Sequence, residues 1–418
     1  MKFERREWLQ GALSSAAGLG ISSSLQAAVP NAKVAPKNIA IVLTAFAKML
    51  HADVIITKIL RGWGHDDGPK PALKIRSLYV DQYPKKDLAR VTAAKHKIPI
   101  FETIEGAITM GSKGVAVDGV ISIGEHGKYP YNDIGQHLYP RRRFFTEITN
   151  TFEKYGKVVP VFNDKHLGPQ WKDAIWMYKR AQQMKIPFMG GSSLPVTFRK
   201  PDIPIPMNCE IEDAVGIGYS GLDIYGSHTL DCFQCLLERR KGAEKGVRWV
   251  QCLQGKEMWK TVDKLVSPKI LKAALSVIPT NKKLKMRELA GSAMFLFQYV
   301  DGFVGKVLML PGYCGGIGAC LKIKGRSEYA PMRFEERFPL TPHFAYLLKG
   351  AERMFHTGKP SYPVERVLLT GGILDRALRS RKAGGKKRMT PELAIQYTPV
   401  DYPHAPHMKL TSDPRKPL

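Results

Sequence analysis

The feature that most constrains the fold is a regular alternation of strand-like and helix-like segments in residues 38–193. Short apolar runs rich in β-branched residues, such as NIAIVL and VDGVISIG, alternate with longer segments whose apolar residues recur at helical spacing. One of these segments, RRRFFTEITNTFEKYG, ends on a glycine, which commonly closes a helix. Strands that alternate with helices are typical of βαβ units. The sequence therefore predicts an α/β fold with a parallel sheet in this part of the chain.

The second half of the chain has a different pattern. From residue 194 the chain is rich in proline, and the strand-like runs VRWVQCLQG, VGKVLMLPGY and GACLKIKG do not alternate regularly with helices. This favours a second, α+β domain with a largely antiparallel sheet over residues 194–381. The last two helices of that range are expected to pack back on the first domain. Residues 382–418, rich in Lys, Pro and His, are predicted to form a basic extended tail.

The first 28 residues are predicted to be a targeting segment and not part of the fold. Adjacent Arg5 and Arg6 precede a short run of Ala, Gly, Ser and Leu, which is typical of a twin-arginine export signal cleaved near Ala27 or Ala28. The alternative is a membrane anchor, but the run is short and rich in Gly and Ser. We therefore expect export to the periplasm or cell envelope, without stable membrane insertion.

Charge and cysteine content narrow the possible partners. A chain of 418 residues is long enough for two domains, and its net charge of +27 indicates either a solvated basic surface or acidic partners such as anionic sugars. The export signal and the absence of zinc-finger spacing disfavour nucleic acid. The six cysteines are not needed as a disulfide framework in a protein of this size.

Several motifs together resemble one known family. They are YVDQYPKKDLARVTAAKHKIPIFETI, VDGVISIG, YGKVVPVFNDKHL, YGSHTLD and HTGKPSYPVERVLLTGGILDRALRS. In sequence and order they are similar to motifs of the Gfo/Idh/MocA (glucose–fructose oxidoreductase and inositol dehydrogenase) family. The resemblance implies a Rossmann-like nucleotide-binding domain followed by an α/β domain with an open, largely antiparallel sheet.

The same resemblance implies a function. The chain is expected to be an exported oxidoreductase that acts on a sugar or cyclitol hydroxyl and holds NAD or NADP tightly, because free nucleotide is scarce outside the cytoplasm. Its substrate is expected to be a small carbohydrate-type molecule. The family's open sheet also implies a homo-oligomer.

Two residues are implied to be catalytic. Lys165 stands where the family has the lysine of Glu-Lys-Pro, and His228 stands at the histidine of the catalytic helix. Both side chains can move a proton when their pKa is tuned by burial or charge. The alternatives are a strand-end salt bridge between Asp164 and Lys165, and a helix-capping or packed His228.

Some of the cofactor and substrate residues follow from the ends of the predicted strands, where open α/β sheets bind ligands. The resemblance implies the others, which are Ala45, Asp164, Asp223 and Asp231. Those assigned to the cofactor are Ala45, Asp81, Glu125 and Asp164. Those assigned to the substrate are His126, Tyr129, Asn132, Arg142, Asp223 and Asp231. The alternative for RRRFF is a basic helix start that ties down the preceding loop by ion pairs.

The sequence departs from the family at the glycine-rich loop. The three glycine positions fall on Leu43, Ala45 and Lys48, although glycine is needed there for a tight turn and close approach to a pyrophosphate. This departure supports an alternative function, namely a nucleotide-free carbohydrate-binding protein or an acid/base lyase or hydratase. A further departure is Asp223, which lies one position earlier than the family's acid.

A metal site is the third hypothesis. His228, Cys232 and Cys235 fall on one face of the predicted helix, and Cys209 or His166 could complete a tetrahedral zinc site. The alternative, which we favour, is a helix face packed on the sheet, where cysteine is commonly buried.

Overall fold

The computed structural model of the protein describes residues 34–336 and 341–405. The predicted export signal and the last residues of the predicted tail lie outside the described residues. From Ala35 onward the chain forms one compact unit that contains two sheets.

The first sheet is parallel and has the strand order β3-β2-β1-β4-β5-β6, with β1 at its centre. This confirms the parallel sheet expected from the alternating pattern. This strand order is that of a dinucleotide-type Rossmann fold. Its strands are β1 (Lys37–Leu43), β2 (Leu73–Val80), β3 (Ile100–Phe101), β4 (Gly119–Ile123), β5 (Val161–Asp164) and β6 (Phe188–Gly191).

Helices connect these strands. They are α1 (His51–Arg61), α2 (Ala89–His96), α3 (Ile104–Thr109), α4 (Arg141–Tyr155) and α5 (Trp171–Gln183). In α4 the apolar side chains at helical spacing, including Phe144, Ile148 and Phe152, are buried, and Gly156 ends the helix with φ +63°. The helical pattern of the sequence begins at residue 47, but α1 begins only at His51, because residues 48 and 49 form a turn in which Met49 has φ +67°.

The second sheet is mixed and mostly antiparallel, with the order β14-β9-β10-β11-β8-β12-β13-β7 and one parallel pair, β8 with β11. The predicted largely antiparallel sheet is thus confirmed. Its strands are β7 (Arg199–Lys200), β8 (Ile211–Gly218), β9 (Val247–Gln254), β10 (Ala293–Tyr299), β11 (Val304–Met309), β12 (Ile317–Ile323), β13 (Ala330–Phe334) and β14 (Arg388–Met389).

In the described residues, the second half of the chain forms five α-helices: α6 (Ile224–Leu237), α7 (Gly255–Leu265), α8 (Pro268–Ser276), α9 (Pro342–Thr357) and α10 (Glu365–Lys382). Helices α6 and α10 share a core with one face of the second sheet, whereas α7 and α8 cover part of the other face. Helix α9 instead packs with β1 and α1 of the first sheet. In the described part of the chain, no helix is long and apolar enough to span a bilayer.

The described part of the predicted tail lies on the body of the protein. After α10 the chain adds β14 to the edge of the second sheet, and Leu393 is fully buried in the core of that sheet. The hydroxyl of Tyr397 donates a hydrogen bond to Oε2 of Glu238 on the chain that follows α6. The described part of the segment has little regular secondary structure, and it is docked on the rest of the protein.

Candidate functional site

A cavity of about 310 Å³ lies where the carboxyl ends of β1, β4 and β5 face the first turns of α6. Carboxyl ends of parallel strands are the usual ligand-binding edge of such sheets. The cavity is lined by Met49, His51, Val54, Glu125, His126, Tyr139, Lys165, Ser193, Leu194, Ile224, Tyr225, His228, Glu336, Thr341, His343 and Phe344. A larger open groove of about 660 Å³ lies beside it near Tyr219, but its lining contains a single charged side chain, Arg381.

Lys165 directly follows β5 and reaches into the cavity. Its backbone is in the left-handed region, with φ +74°, and is held there by two reciprocal 3.0 Å hydrogen bonds with Gly191. A non-glycine residue in this region is uncommon and costs roughly 1–2 kcal/mol. The ammonium Nζ contacts Nε2 of His228 and lies 3.8 Å from Oε1 of Glu125. This side chain therefore links the first sheet to helix α6.

His228 is held from both sides. Its Nδ1 lies 2.5 Å from the hydroxyl oxygen of Ser192, which also accepts a hydrogen bond from the backbone N–H of Leu194. Because a lysine ammonium can only donate, Nε2 of His228 accepts and its proton lies on Nδ1. Burial, and then the charge of Lys165, lower the pKa of His228 well below its ordinary value. The ring is therefore neutral at physiological pH.

Glu125 follows β4 and is paired with Arg141, the first residue of α4. Both side chains are buried, which makes the pair sensitive to the loss of either partner. Burial alone would raise the pKa of Glu125, but the charges of Lys165 and Arg141 outweigh it and hold that pKa below its ordinary value. Gly124 makes room for the pair, because a Cβ there would lie 2.6 Å from Cγ of Arg141.

Arg141 also contacts the ring of His166. Its Nη1 lies 3.2 Å from Nε2 of His166, whose pKa falls to about 3 mainly through burial. A small enclosed cavity beside it is also lined by Asp223, where burial raises the pKa to about 6. Asp223 directly precedes α6, and its Oδ2 accepts a hydrogen bond from the backbone N–H of His137 at 2.9 Å.

Two further histidines face the cavity from the side of the first sheet. His51 begins α1, and its Nδ1 lies 2.5 Å from Oδ2 of Asp164, the last residue of β5. The ring of His126 meets the ring of His51 edge-on at 5.1 Å. His126 has φ +69°, and burial lowers its pKa to about 4, so this ring is neutral at physiological pH.

Four of the predicted site residues line the cavity: Lys165, His228, Glu125 and His126. Asp164, predicted to bind the cofactor, instead lies behind His51 and binds its ring. These five residues come from three segments, namely the ends of β4 and β5 and the first turns of α6, so the structure brings together five of the twelve predicted residues.

The other predicted residues lie outside the cavity lining. Tyr129 and Asp81 bind each other, with the Tyr129 hydroxyl donating to Oδ2 of Asp81 at 2.5 Å. Asn132 bonds with Gln136 within its own loop. Arg142 pairs with Asp173 across α4 and α5 at 2.8 Å.

Three more predicted residues, Asp231, Asp223 and Ala45, also lie outside the cavity lining. Asp231 is buried one helical turn after His228 and accepts a hydrogen bond from the backbone N–H of Ser192 at 2.9 Å. Asp223 lines the small enclosed cavity. Ala45 is buried in the turn after β1.

Sequence reasoning missed four contributors to the site. His51 was not predicted to belong to the site. An ionisable residue at the start of the helix that follows the first strand could have indicated it. Arg141 was not distinguished from its neighbour Arg142. Ser192 lies in GGSS, which matches no specific motif, and His343 lies in α9, one of the two helices that were expected only to pack on the first domain.

A metal centre receives no support. Among residues 34–336 and 341–405, no group of three or more His, Cys, Asp or Glu side chains is arranged to hold a metal ion. Cys232 and Cys235 are buried in α6, and the thiol of Cys235 donates to the carbonyl of Cys232 at 3.0 Å. All six cysteines are free thiols.

The turn after β1 does not fit a dinucleotide's pyrophosphate. Such a site needs glycines for close backbone approach and the N-terminus of the following helix for the phosphates. Here Leu43 and Phe46 are buried in the hydrophobic core. The carboxylate of Asp53, in the first turn of α1, accepts a hydrogen bond from Met49 N at 2.8 Å. The first turn of α1 therefore already carries an acidic side chain, which disfavours a phosphate there.

The chain after β2 adds a second obstacle. Backbone N–H groups of Asp81 and Gln82 donate to the carbonyls of Leu43 and Thr44, at the end of β1. Gln82 then exchanges two hydrogen bonds with the backbone of Lys128. We call these contacts, together with Asp81–Tyr129, the inter-loop clasp. The clasp engages the carboxylate of Asp81, the predicted ribose-binding acid, within the protein, and together with the glycine-free turn after β1 this does not fit the usual contacts of a dinucleotide.

No protein-family model and no curated protein matches the chain. Solved structures do match its fold. GenD2 from gentamicin A biosynthesis, in complex with NAD, has a TM-score of 0.56 at 10% identity, over 85% of this chain and 97% of its own. Myo-inositol 2-dehydrogenase from Lactobacillus plantarum has a TM-score of 0.53 at 10% identity, over 85% and 99% of the two chains.

A super-repressor mutant of Gal80p from Saccharomyces cerevisiae is similar to the same degree, with a TM-score of 0.53 at 10% identity over 86% of this chain and 99% of its own. Likeness at this level of identity shows the shared fold. The α/β fold that the resemblance implied is thereby confirmed, because the chain shares it with these solved structures.

Proposed function

From this shared fold, we propose that the chain is an enzyme that moves protons on a small polyhydroxylated substrate without a nicotinamide dinucleotide. The reaction class is elimination of water or its reverse, hydration. The fold supports a carbohydrate-type substrate, because sugar and cyclitol dehydrogenases share it. The inter-loop clasp and the buried turn after β1 argue for chemistry that needs no dinucleotide.

The observation that carries this proposal is the contact between Nζ of Lys165 and Nε2 of His228 at the wall of the 310 Å³ cavity. That volume lies in the range of small-molecule sites. Both side chains are almost fully buried. Ionisable groups that are buried together in a cleft are more often functional than those on a surface.

The side chains around this lysine–histidine pair have distinct roles in such a reaction. Lys165 donates to a substrate oxygen on which negative charge develops, and in a dry cavity this stabilisation is stronger than in water. Glu125 stabilises the ammonium, and Arg141 holds Glu125 in place. The neutral ring of His228 orients the ammonium.

A panel of hexuronic acids, aldonic acids and ketohexoses tests this proposal. Proton NMR would follow loss of water and the appearance of an alkene, enol or keto product. We expect the wild type to convert at least one compound and Lys165→Met to lose about a thousandfold or more in rate. Lys172→Met, at an exposed position of α5, is the matched control. Equal rates in Lys165→Met and the wild type would refute the assignment.

A second candidate is favoured by the fold and by the same lysine–histidine pair. It is an oxidoreductase that acts on a sugar or cyclitol hydroxyl with tightly bound NAD or NADP. Its test is to purify the folded protein from the cytoplasm, denature it and record the ultraviolet spectrum and mass of any released nucleotide. Released NAD(P), or micromolar binding of added NAD(P) by calorimetry, would establish this candidate in place of the first.

Export by the twin-arginine route and a homo-oligomeric state belong to the same proposal. Fusing residues 1–28 to a reporter and replacing Arg5 and Arg6 with lysine would test export. Oligomerisation was expected through the open face of the second sheet, but α7 and α8 cover part of that face. Light scattering on the purified protein measures the oligomeric state directly.

A further inference from the structure

We infer that His51, oriented by Asp164, is the general base of this site, and that the substrate is a carbon acid: a hydroxy-carbonyl compound such as a keto sugar or sugar acid. This inference rests on the proposed function and assigns its second proton-transfer group. It places a base at the helix start that binds a pyrophosphate in dinucleotide-binding relatives of the fold.

The geometry of the two side chains is that of a base and its orienting acid. Asp164 is 1% exposed, and its Oδ2 lies 2.5 Å from Nδ1 of His51. Because a carboxylate accepts, the ring proton lies on Nδ1 and the lone pair on Nε2. A buried carboxylate in this position also stabilises the positive charge that forms when Nε2 takes up a proton.

The surroundings keep the ring in this orientation. Phe344 packs edge-on against His51 at 4.7 Å, and His126 does so at 5.1 Å from another side. The His51 side chain remains 14% exposed and lines the cavity. The free nitrogen of the ring is therefore available to a bound molecule, while the other nitrogen is fixed.

His51 and Lys165 belong to separate elements that line one cavity. His51 begins α1, whereas Lys165 follows β5 and is bound to His228 of α6. The same cavity therefore offers a base with a free lone pair and an ammonium with protons to give. Such a pairing suits a reaction that removes a proton from carbon and delivers one to oxygen.

The reaction is balanced without an oxidant or a further reactant. Nε2 of His51 takes the proton from the carbon next to the carbonyl, and the C–H electron pair becomes the enolate, whose oxygen is stabilised by Lys165. The β-carbon–oxygen bond then breaks, a carbon–carbon double bond forms, and the departing hydroxide takes a proton from Lys165 and leaves as water. Proton transfer from the His51 imidazolium to Lys165 through solvent restores the site.

Diethyl pyrocarbonate, which acylates accessible neutral imidazole nitrogens, tests the base without knowledge of the substrate. Mass spectrometry of the intact, folded protein would follow modification of each histidine with time. We expect His51 to react faster than His126, whose Nε2 is buried. We expect Asp164→Asn to slow the reaction at His51 at least about tenfold, because the amide favours the wrong tautomer. An unmodified His51, or an unchanged rate in Asp164→Asn, would overturn the inference.

A second measurement separates this inference from the proposed function. In heavy water, the wild type should exchange the carbon-bound proton of at least one hydroxy-carbonyl compound of the panel, and His51→Asn should abolish that exchange. Lys165→Met should keep the acylation rate of His51 while losing turnover. Turnover that survives His51→Asn would refute the base but not the function. Reactive His51 without any exchange or turnover in the wild type would refute both the function and the role inferred here.

Discussion

The hydroxyl of Tyr129 donates a hydrogen bond to Oδ2 of Asp81 at 2.5 Å, and this bond joins the loop after β4 to the end of β2. The carboxylate also accepts from the Tyr79 hydroxyl and from Arg143, so its hydrogen-bonding capacity is largely used within the protein. In dinucleotide-binding relatives of this fold, a carboxylate at the end of the second strand binds a ribose. Here the carboxylate at this position, Asp81, forms part of the inter-loop clasp.

Replacing Tyr129 with phenylalanine should therefore lower stability and leave nucleotide binding unchanged. A hydrogen bond to a charged partner contributes about 1.5–3 kcal/mol, and Tyr129 is about half-buried, so we expect a loss near the lower end of that range. Urea unfolding followed by circular dichroism measures the free energy of unfolding, and calorimetry with NAD(P) measures binding.

Tyr155→Phe is the matched control for this change. Its hydroxyl also donates to a carboxylate, Glu105, at 2.8 Å, but Glu105 is 42% exposed. Water can replace that bond, so the control should lose less than about 0.5 kcal/mol. Equal losses in the two variants would show that the clasp adds no stability of its own.

Gly124→Ala should disturb the buried ion pair next to Lys165. The new Cβ would lie 2.6 Å from Cγ of Arg141, so Arg141 must shift away from Glu125. Overpacking of this kind costs about 1–3 kcal/mol, and turnover should fall because Glu125 no longer holds Lys165 in place. Gly114→Ala is the control, since its Cβ would meet no atom within 4 Å. If Gly124→Ala and Gly114→Ala both unfold at the same midpoint urea concentration as the wild type, Gly124 is not needed to make room for the ion pair between Arg141 and Glu125.

The fold could be predicted because its signals are local. Alternation of strand and helix patterns in residues 38–193 is a property of short windows, and it determined the parallel sheet correctly. The irregular second half likewise indicated a largely antiparallel sheet. The expectation that Lys165 and His228 belong to one site came from the family resemblance, and the structure places both side chains at one cavity.

The rest of the site depends on contacts between distant residues. His51 acquires its orientation from Asp164, which lies 113 positions later in the chain, and Asp81 is occupied by Tyr129, which lies 48 positions later. No periodicity or short motif encodes such pairs. The docked tail was missed for the same reason, because the groups that bind it belong to α6 and the second sheet.

Asp231→Asn should change the pH dependence of stability. Burial raises the pKa of Asp231 to about 6, against an ordinary value of 3.8. The folded state therefore favours the protonated form, and the stability that this contributes is complete below pH 3.8 and is lost as the pH rises to 6. Asparagine does not titrate. Relative to the wild type, the variant should gain about 2 kcal/mol between pH 4.5 and 7.5.

Urea unfolding of both proteins across that pH range checks this expectation. Loss of the hydrogen bond from Ser192 N and the change in packing alter the unfolding free energy of the variant by the same amount at every pH. The informative quantity is therefore how the difference in unfolding free energy between variant and wild type changes with pH. A pH-independent difference for Asp231→Asn would contradict the raised pKa.

Leu393→Ala tests whether the segment after α10 is part of the folded core. Leu393 is 0% exposed and packs in the core of the second sheet, so its truncation should cost about 2–5 kcal/mol of unfolding free energy. Met389→Ala in the adjoining strand β14 is the control, because Met389 is 63% exposed and its truncation should change stability by less than about 0.5 kcal/mol. If thermal unfolding shows equally small shifts in both variants, this segment does not stabilise the fold; a large loss confined to Leu393→Ala shows that it does.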